Sequence, residues 1–216
     1  MAAELDACGP RLTERGRATR ARIIQAAADL MFRQGVAGTS IPDVLAAAGV
    51  SASQLYHYFE DKHALVRAVI KHQSDVALAV QAQFPLDSIA ALEAWRDAVL
   101  ALQSARDCKG GCVIGSLASE LADSDPEARA DLAAGMARWA QAIRDGLSAM
   151  QQRGELRVEA DPDHLALFVL AALQGGLLLT QVHEDATPVR VALDGAIAHV
   201  ASFAAGKPRN VRTTGR

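Results

Sequence analysis

Apolar residues recur at helical spacing along most of this chain, and glycine, proline or capping residues stand between the runs. Ile23, Ala26, Ala27, Leu30 and Met31 mark a first helix, preceded by a basic lead-in and ended at Gly35. Ser40, Pro42 and Asp43 open a second, with Ile41, Val44, Leu45 and Ala48 on one face and Gly49 as its stop. Ser51 caps a third that opens at Ala52 and turns Leu55 and Phe59 inward. A fourth starts near Asp61, carries Leu65, Val66, Val69 and Ile70 to about residue 83, and stops before Pro85. The pattern predicts further helices over about 88–106, 113–122, 126–153, 162–183 and 187–205. The first of these turns Ile89, Leu92, Val99 and Leu102 inward with Trp95. Abundant Ala and Leu and few aromatic residues agree with an all-α fold.

The second and third helices are too short to stand alone, so the pair needs a larger purpose. A helix-turn-helix that reads DNA supplies one. Ala52, Ser53, Gln54 and His57 are small or hydrogen-bonding groups near a helix N-terminus, suited to base edges in a major groove. Tyr56, Tyr58 and Lys62 carry groups for phosphate oxygens, and Arg17, Arg20 and Arg22 fit the DNA backbone or minor groove. Ser40, the cap of the second helix, joins these candidates. The plainer alternative is a capped helical hairpin with half-buried tyrosines and solvated arginines.

Charge distribution favours the DNA reading. Residues 11–71 hold nine Lys/Arg against five Asp/Glu, a net charge of +4, while the whole chain carries −3 and the remainder therefore −7. A basic head on an acidic body suits phosphate contact at one end. Three widely split cysteines suit a reducing cytoplasm. An acidic N-terminus without an apolar core predicts no secretory leader, and no run of about 18 uncharged apolar residues predicts a membrane span. The six histidines show no compact metal-ligand spacing, and no phosphate-cradling loop or nucleophile elbow points to catalysis. Neither a metal nor a cofactor is expected.

Residues 17–70 resemble the DNA-binding domain of the TetR family of bacterial transcriptional regulators. The matching features are Leu30-Met31-Phe32 before Gly35, then Thr39, Ala48-Gly49-Val50-Ser51, Leu55-Tyr56, Tyr58-Phe59, Lys62 and Leu65. Leu45 departs from the pattern, because the family usually places a small residue there. The resemblance implies about nine helices, an N-terminal three-helix helix-turn-helix domain and a C-terminal ligand-binding and dimerisation domain. It also implies a homodimer on a palindromic DNA operator, with repression relieved by a small-molecule effector. The divisions expected are a disordered 1–10, a DNA-binding domain 11–60, an effector and dimerisation domain 61–205 and a disordered tail 206–216.

Residues 111–130 resemble a segment found in one subset of the family's C-terminal domains. Trp95, Met136, Trp139, Phe168 and Gln174 are candidates for the effector pocket, although core packing is the commoner role for such side chains. The run 165–179 is too apolar to keep a solvent face in a monomer and contains Gly175-Gly176. It predicts a dimer surface built from Leu170, Leu173, Gly175, Gly176 and Leu177, joined by Val191 and Ile197 of the last helix. Cys108 and Cys112, flanked by Arg106 and Lys109, leave open a thiol-based sensor of oxidants or electrophiles. A small-molecule enzyme or carrier built on a helical bundle is the rival from another class.

Overall fold

The computed structural model describes residues 12–205, so the disorder expected at 1–10 and 206–216 lies outside the described residues. Nine α-helices follow one another among them: α1 Glu14–Gly38, α2 Ile41–Ala48, α3 Ala52–Tyr58, α4 Lys62–Gln81, α5 Ile89–Ala105, α6 Val113–Leu121, α7 Pro126–Gln152, α8 Pro162–His183 and α9 Thr187–Ser202. Their starts follow the capping chemistry of the sequence. Thr13, Ser40, Ser51, Asp61, Ser88, Asp125 and Asp161 each accept a backbone N–H of the first turn.

Two left-handed positions shape the head. Gly49 closes α2 at φ 61° and ψ 45°, where a Cβ would be strained. Gly35 interrupts α1 at φ 75° and ψ 170°, so the helix breaks where expected and one further turn follows to Gly38. The broken end is held from three sides. Val36 N–H donates to Glu120 Oε2 at 2.8 Å, Lys62 Nζ donates to the Val36 carbonyl at 2.8 Å, and the buried Thr39 hydroxyl donates to the Gly35 carbonyl at 2.8 Å.

The apolar interior forms two clusters. One joins Ile23, Ala27 and Met31 of α1, Val44 of α2 and Leu55 of α3 to Leu65 and Ile70 of α4. It continues into Ile114 and Leu117 of α6 and Ala128 and Leu132 of α7. The other packs α5, the second half of α7, α8 and α9 around Leu92, Ile143, Leu147, Leu165 and Leu193. Helices α4 and α7 pack against each other, and Trp139 and Cys112 border both clusters. Arg67 of α4 reinforces that pairing with ion pairs to Glu127 and Asp131 of α7.

Helix α8 is long and apolar enough to cross a membrane by length and composition, with a mean hydropathy of 1.9 in its most apolar window. Gln174, Thr180 and Gln181 interrupt its apolar sequence. Val169, Leu173, Gly176 and Leu177 pack it into the body core, which accounts for the apolar side facing α7 and α9.

Candidate nucleic-acid interface and body cavity

Helix α3 buries Leu55 and Phe59 completely or nearly so, and this fixes which residues face outward. Ala52, Ser53, Gln54, Tyr56 and His57 are all exposed, so four candidate base-reading side chains share the open side of one helix. Tyr58 is half-buried, packs against the head core and meets the His57 ring edge-on at 4.8 Å. The half-buried tyrosine of the plainer alternative is therefore real at Tyr58, whereas Tyr56 stands 52% exposed.

Several candidates have structural duties that the sequence reading assigned to DNA. Gln54 Oε1 accepts the Ser51 N–H at 2.9 Å while Ser51 Oγ accepts the Gln54 N–H at 3.2 Å, a reciprocal capping box. Adenine recognition through both ends of the Gln54 amide would need that box to open. Ser40 is similarly engaged: its hydroxyl donates to Asp43 Oδ2 at 2.6 Å and its N–H donates to the same oxygen at 3.0 Å. These bonds hold the Asp43 carboxyl below its ordinary pKa. Arg22 Nε donates to the Ala48 carbonyl at 2.9 Å and so closes the C-terminus of α2. Its Nη groups make no hydrogen bond among the described residues, and the side chain is exposed.

The other basic groups differ in what they meet. The Arg20 guanidinium lies over the Phe59 ring at 5.2 Å, and Arg17 Nη1 donates to the Leu12 carbonyl at 2.8 Å. Lys62 keeps two N–H groups beyond the one directed at Val36. Leu45 is partly buried against the head core, so the larger side chain is accommodated within the packing.

A cavity of about 160 Å³ lies in the body between α4, α5, the start of α6, α7 and α8. Trp95 and Trp139 line it, as expected, with Val76, Val99, Leu173 and Leu177. Met136 and Gln174 instead line an adjoining hollow, and Cys112 borders both spaces. Phe168 belongs to neither. It is 43% exposed, with its ring 5.0 Å from that of His199, so its assignment to the pocket is corrected.

Two buried polar side chains in the cavity wall were missed. Gln81 is fully committed: its Oε1 accepts Trp139 Nε1–H at 3.2 Å and its Nε2 donates to the Phe84 carbonyl at 3.4 Å. Gln103 is 2% exposed and its Oε1 has no hydrogen-bond partner. The spacing Trp95, Val99, Gln103 was the available signal, a polar residue four positions along an apolar stripe. Leu102, expected inside, is 40% exposed in its place. Cys108 is buried, while Cys112 caps α6 by accepting the Gly115 N–H; both are free thiols.

The expected dimer surface divides in two. Leu170, Leu173, Leu177 and Ile197 are buried within the chain, and Gly176 lies against Val189 of α9. The outward apolar stripe consists instead of Leu167, Leu178, Leu179 and Val182 of α8, with Val191 of α9. Gly175 opens onto that side, with nothing within 4 Å of where its Cβ would stand.

Comparison with known proteins bears on all three features. Residues 23–69 match the family model described as bacterial regulatory proteins, tetR family, and residues 88–196 match the tetracyclin repressor-like C-terminal domain. The HTH-type transcriptional repressor DhaR of Mycobacterium sp. (strain GP1) is 24% identical over 79% of this chain and 86% of its own length. An HTH-type transcriptional regulator of Mycobacterium tuberculosis (strain H37Rv) is 30% identical over 79% of this chain and 88% of its own. The crystal structure of a TetR transcriptional regulator from Chloroflexus aurantiacus superposes with a TM-score of 0.76 at 29% identity, covering 89% of this chain and 98% of that one.

Proposed function

This chain belongs to the TetR family of bacterial regulatory proteins, and we propose that it is a repressor whose grip on a palindromic operator is released by a small molecule bound in the body. It is a helix-turn-helix transcriptional regulator, as its relatives are. The observation that carries the proposal is the outward face of α3, where Ala52, Ser53, Tyr56 and His57 stand exposed, with Arg20 over the Phe59 ring at the end of that helix. Leu55 and Phe59 anchor that helix from behind, so it is presented rigidly.

Two such helices are needed for a palindrome, and the apolar stripe of α8 and α9 supports a two-fold partner. Packing Leu178, Leu179 and Val182 against their symmetry mates would form a four-helix bundle. Each half-site would then lie about one DNA turn, or a multiple, from the other. The cavity between α4 and α8 supports effector binding. Its wall includes the N-terminus of α6, and the other end of α6 carries Glu120, which holds Val36 at the broken end of α1. A ligand that displaced α6 would therefore disturb the hold on the head.

Genomic fragments retained by the purified protein and mapped by footprinting test this reading. Paired half-sites in the protected sequence are expected, with affinity falling steeply as salt rises. Retention without sequence preference, or protection of a single unpaired site, would reject it.

A further inference from the structure

This inference rests on the reading of the body cavity as the effector site and gives that site a ligand class. The cavity measures about 160 Å³, close to the size of apolar protein cavities of about 150 Å³ that take up benzene. Its volume therefore suits a molecule with a single ring. Its walls are mainly the side chains of Trp95, Trp139, Val76, Val99, Leu173 and Leu177.

The polar groups in the wall narrow the choice further. Gln81 has both ends of its amide engaged, and Cys112 Sγ accepts a backbone N–H. Gln103 differs from them: it is 98% buried, its Oε1 is enclosed without a partner, and its amide makes no side-chain hydrogen bond among the described residues. A buried amide left unmatched is costly, so a ligand that hydrogen-bonds it recovers free energy that the empty cavity forgoes. The charged side chain in the cavity wall is Arg106, which is exposed and lies over the Phe32 ring at 6.0 Å. Its exposure leaves that charge screened by solvent, so the wall offers no buried counter-charge, and an anion taken inside would lose more hydration than Arg106 returns.

We propose that the cavity takes a neutral, single-ring-sized apolar molecule bearing one hydrogen-bonding group, with Gln103 as the residue that recognises that group. The class is illustrated by phenol. Toluene has the ring without the polar group, and benzoate has the ring with a charge.

The chain has two tryptophans and both line the cavity, so its intrinsic fluorescence reports occupancy there. Phenol, toluene and benzoate are titrated into the full chain with tryptophan emission as the readout. Phenol is expected to saturate, toluene to saturate about tenfold more weakly, and benzoate to leave the emission unchanged. In Gln103→Met the phenol advantage is expected to vanish while toluene binding persists. Should that variant fail to fold by circular dichroism, phenol against toluene on the unaltered chain carries the same comparison. Benzoate binding more tightly than phenol, equal binding of phenol and toluene, or no saturation with either neutral probe would each overturn the assignment.

Release of a retained DNA fragment is followed in parallel. Saturation by phenol without release supports the ligand class and rejects effector-driven release. Release by benzoate without response to the neutral probes does the reverse.

Discussion

The paired glycines of α8 offer a test of how the body is packed, because they are neighbours in sequence and opposite in surroundings. A Cβ on Gly176 would stand 2.8 Å from Val189 Cα and 3.1 Å from Ala192 Cβ, where ordinary contacts begin near 3.4 Å. The nearest atom is backbone, so it cannot rotate away, and α8 and α9 must separate. Overpacking of this kind costs about 1–3 kcal/mol, and replacing a helical glycine returns up to about 1 kcal/mol of propensity. Gly176→Ala is therefore expected to lose about 1–2 kcal/mol, a fall in Tm of roughly 3–6 °C for a chain of this size. Gly175→Ala meets nothing within 4 Å in its own chain and should keep the propensity gain, about 0.5–1 kcal/mol. Thermal unfolding at one protein concentration, followed by circular dichroism, compares the two. If Gly176→Ala melted at or above the unaltered protein, the close approach of α8 and α9 would be wrong.

Other residues give shorter tests. Leu179→Glu, on the exposed stripe of α8, should give a folded monomer by sedimentation, and a persisting dimer would remove that stripe from the interface. Lys62→Met loses a charge-assisted bond to the Val36 carbonyl and should cost about 1–2 kcal/mol in denaturant unfolding; it should also weaken binding to all DNA sequences alike. Retained affinity across salt concentrations would confine Lys62 to its structural bond. The imidazole of His63 lies 2.8 Å from Asp125, whose hydrogen bond raises the histidine pKa above its ordinary 6.5. A raised folded-state pKa stabilises the protein below the unfolded value, and that contribution disappears as pH rises through the folded one. The unaltered protein should therefore lose stability relative to His63→Gln as the pH rises past the ordinary 6.5, and parallel stability curves would show the contact to be inert.

Most of the helical framework was legible because its signals are local. Ser40, Ser51 and Asp125 cap the helices that follow them, and Gly35 and Gly49 hold the left-handed positions at which helices were expected to stop. The candidate sites were less legible because long-range contacts decide the roles of their residues. Arg22 is basic and lies on the head, yet its Nε also closes α2 at the Ala48 carbonyl, 26 positions away. Gln54 is chemically suited to adenine, yet it holds its own helix cap. The apolar run of α8 signalled that more than one face would be covered. It could not say which face meets α9 and which is left outward, because leucine occupies both.

Gln103 and Glu120 show what such contacts add to function. Gln103 belongs to no motif, and Glu120 falls in the 111–130 segment with nothing there to mark it, but one stands in the cavity wall without a partner and the other holds the head. Helix α6 connects their surroundings: residues 112–114 at its start border the cavity, and Glu120 at its end accepts the Val36 N–H. Lys62 meets Val36 from its other side, so a shift of α6 is felt where α1 breaks and α4 begins. These are the helices that flank the α2–α3 pair, and α1 also covers its inner side. Coupling between cavity and DNA face therefore requires no long relay. Glu120→Gln tests it, since the weaker acceptor keeps the shape but loosens the tie. Operator affinity without ligand should change little, while the shift caused by a saturating cavity ligand should shrink. An unchanged shift would remove Glu120 from the coupling and leave α6 as a packing element.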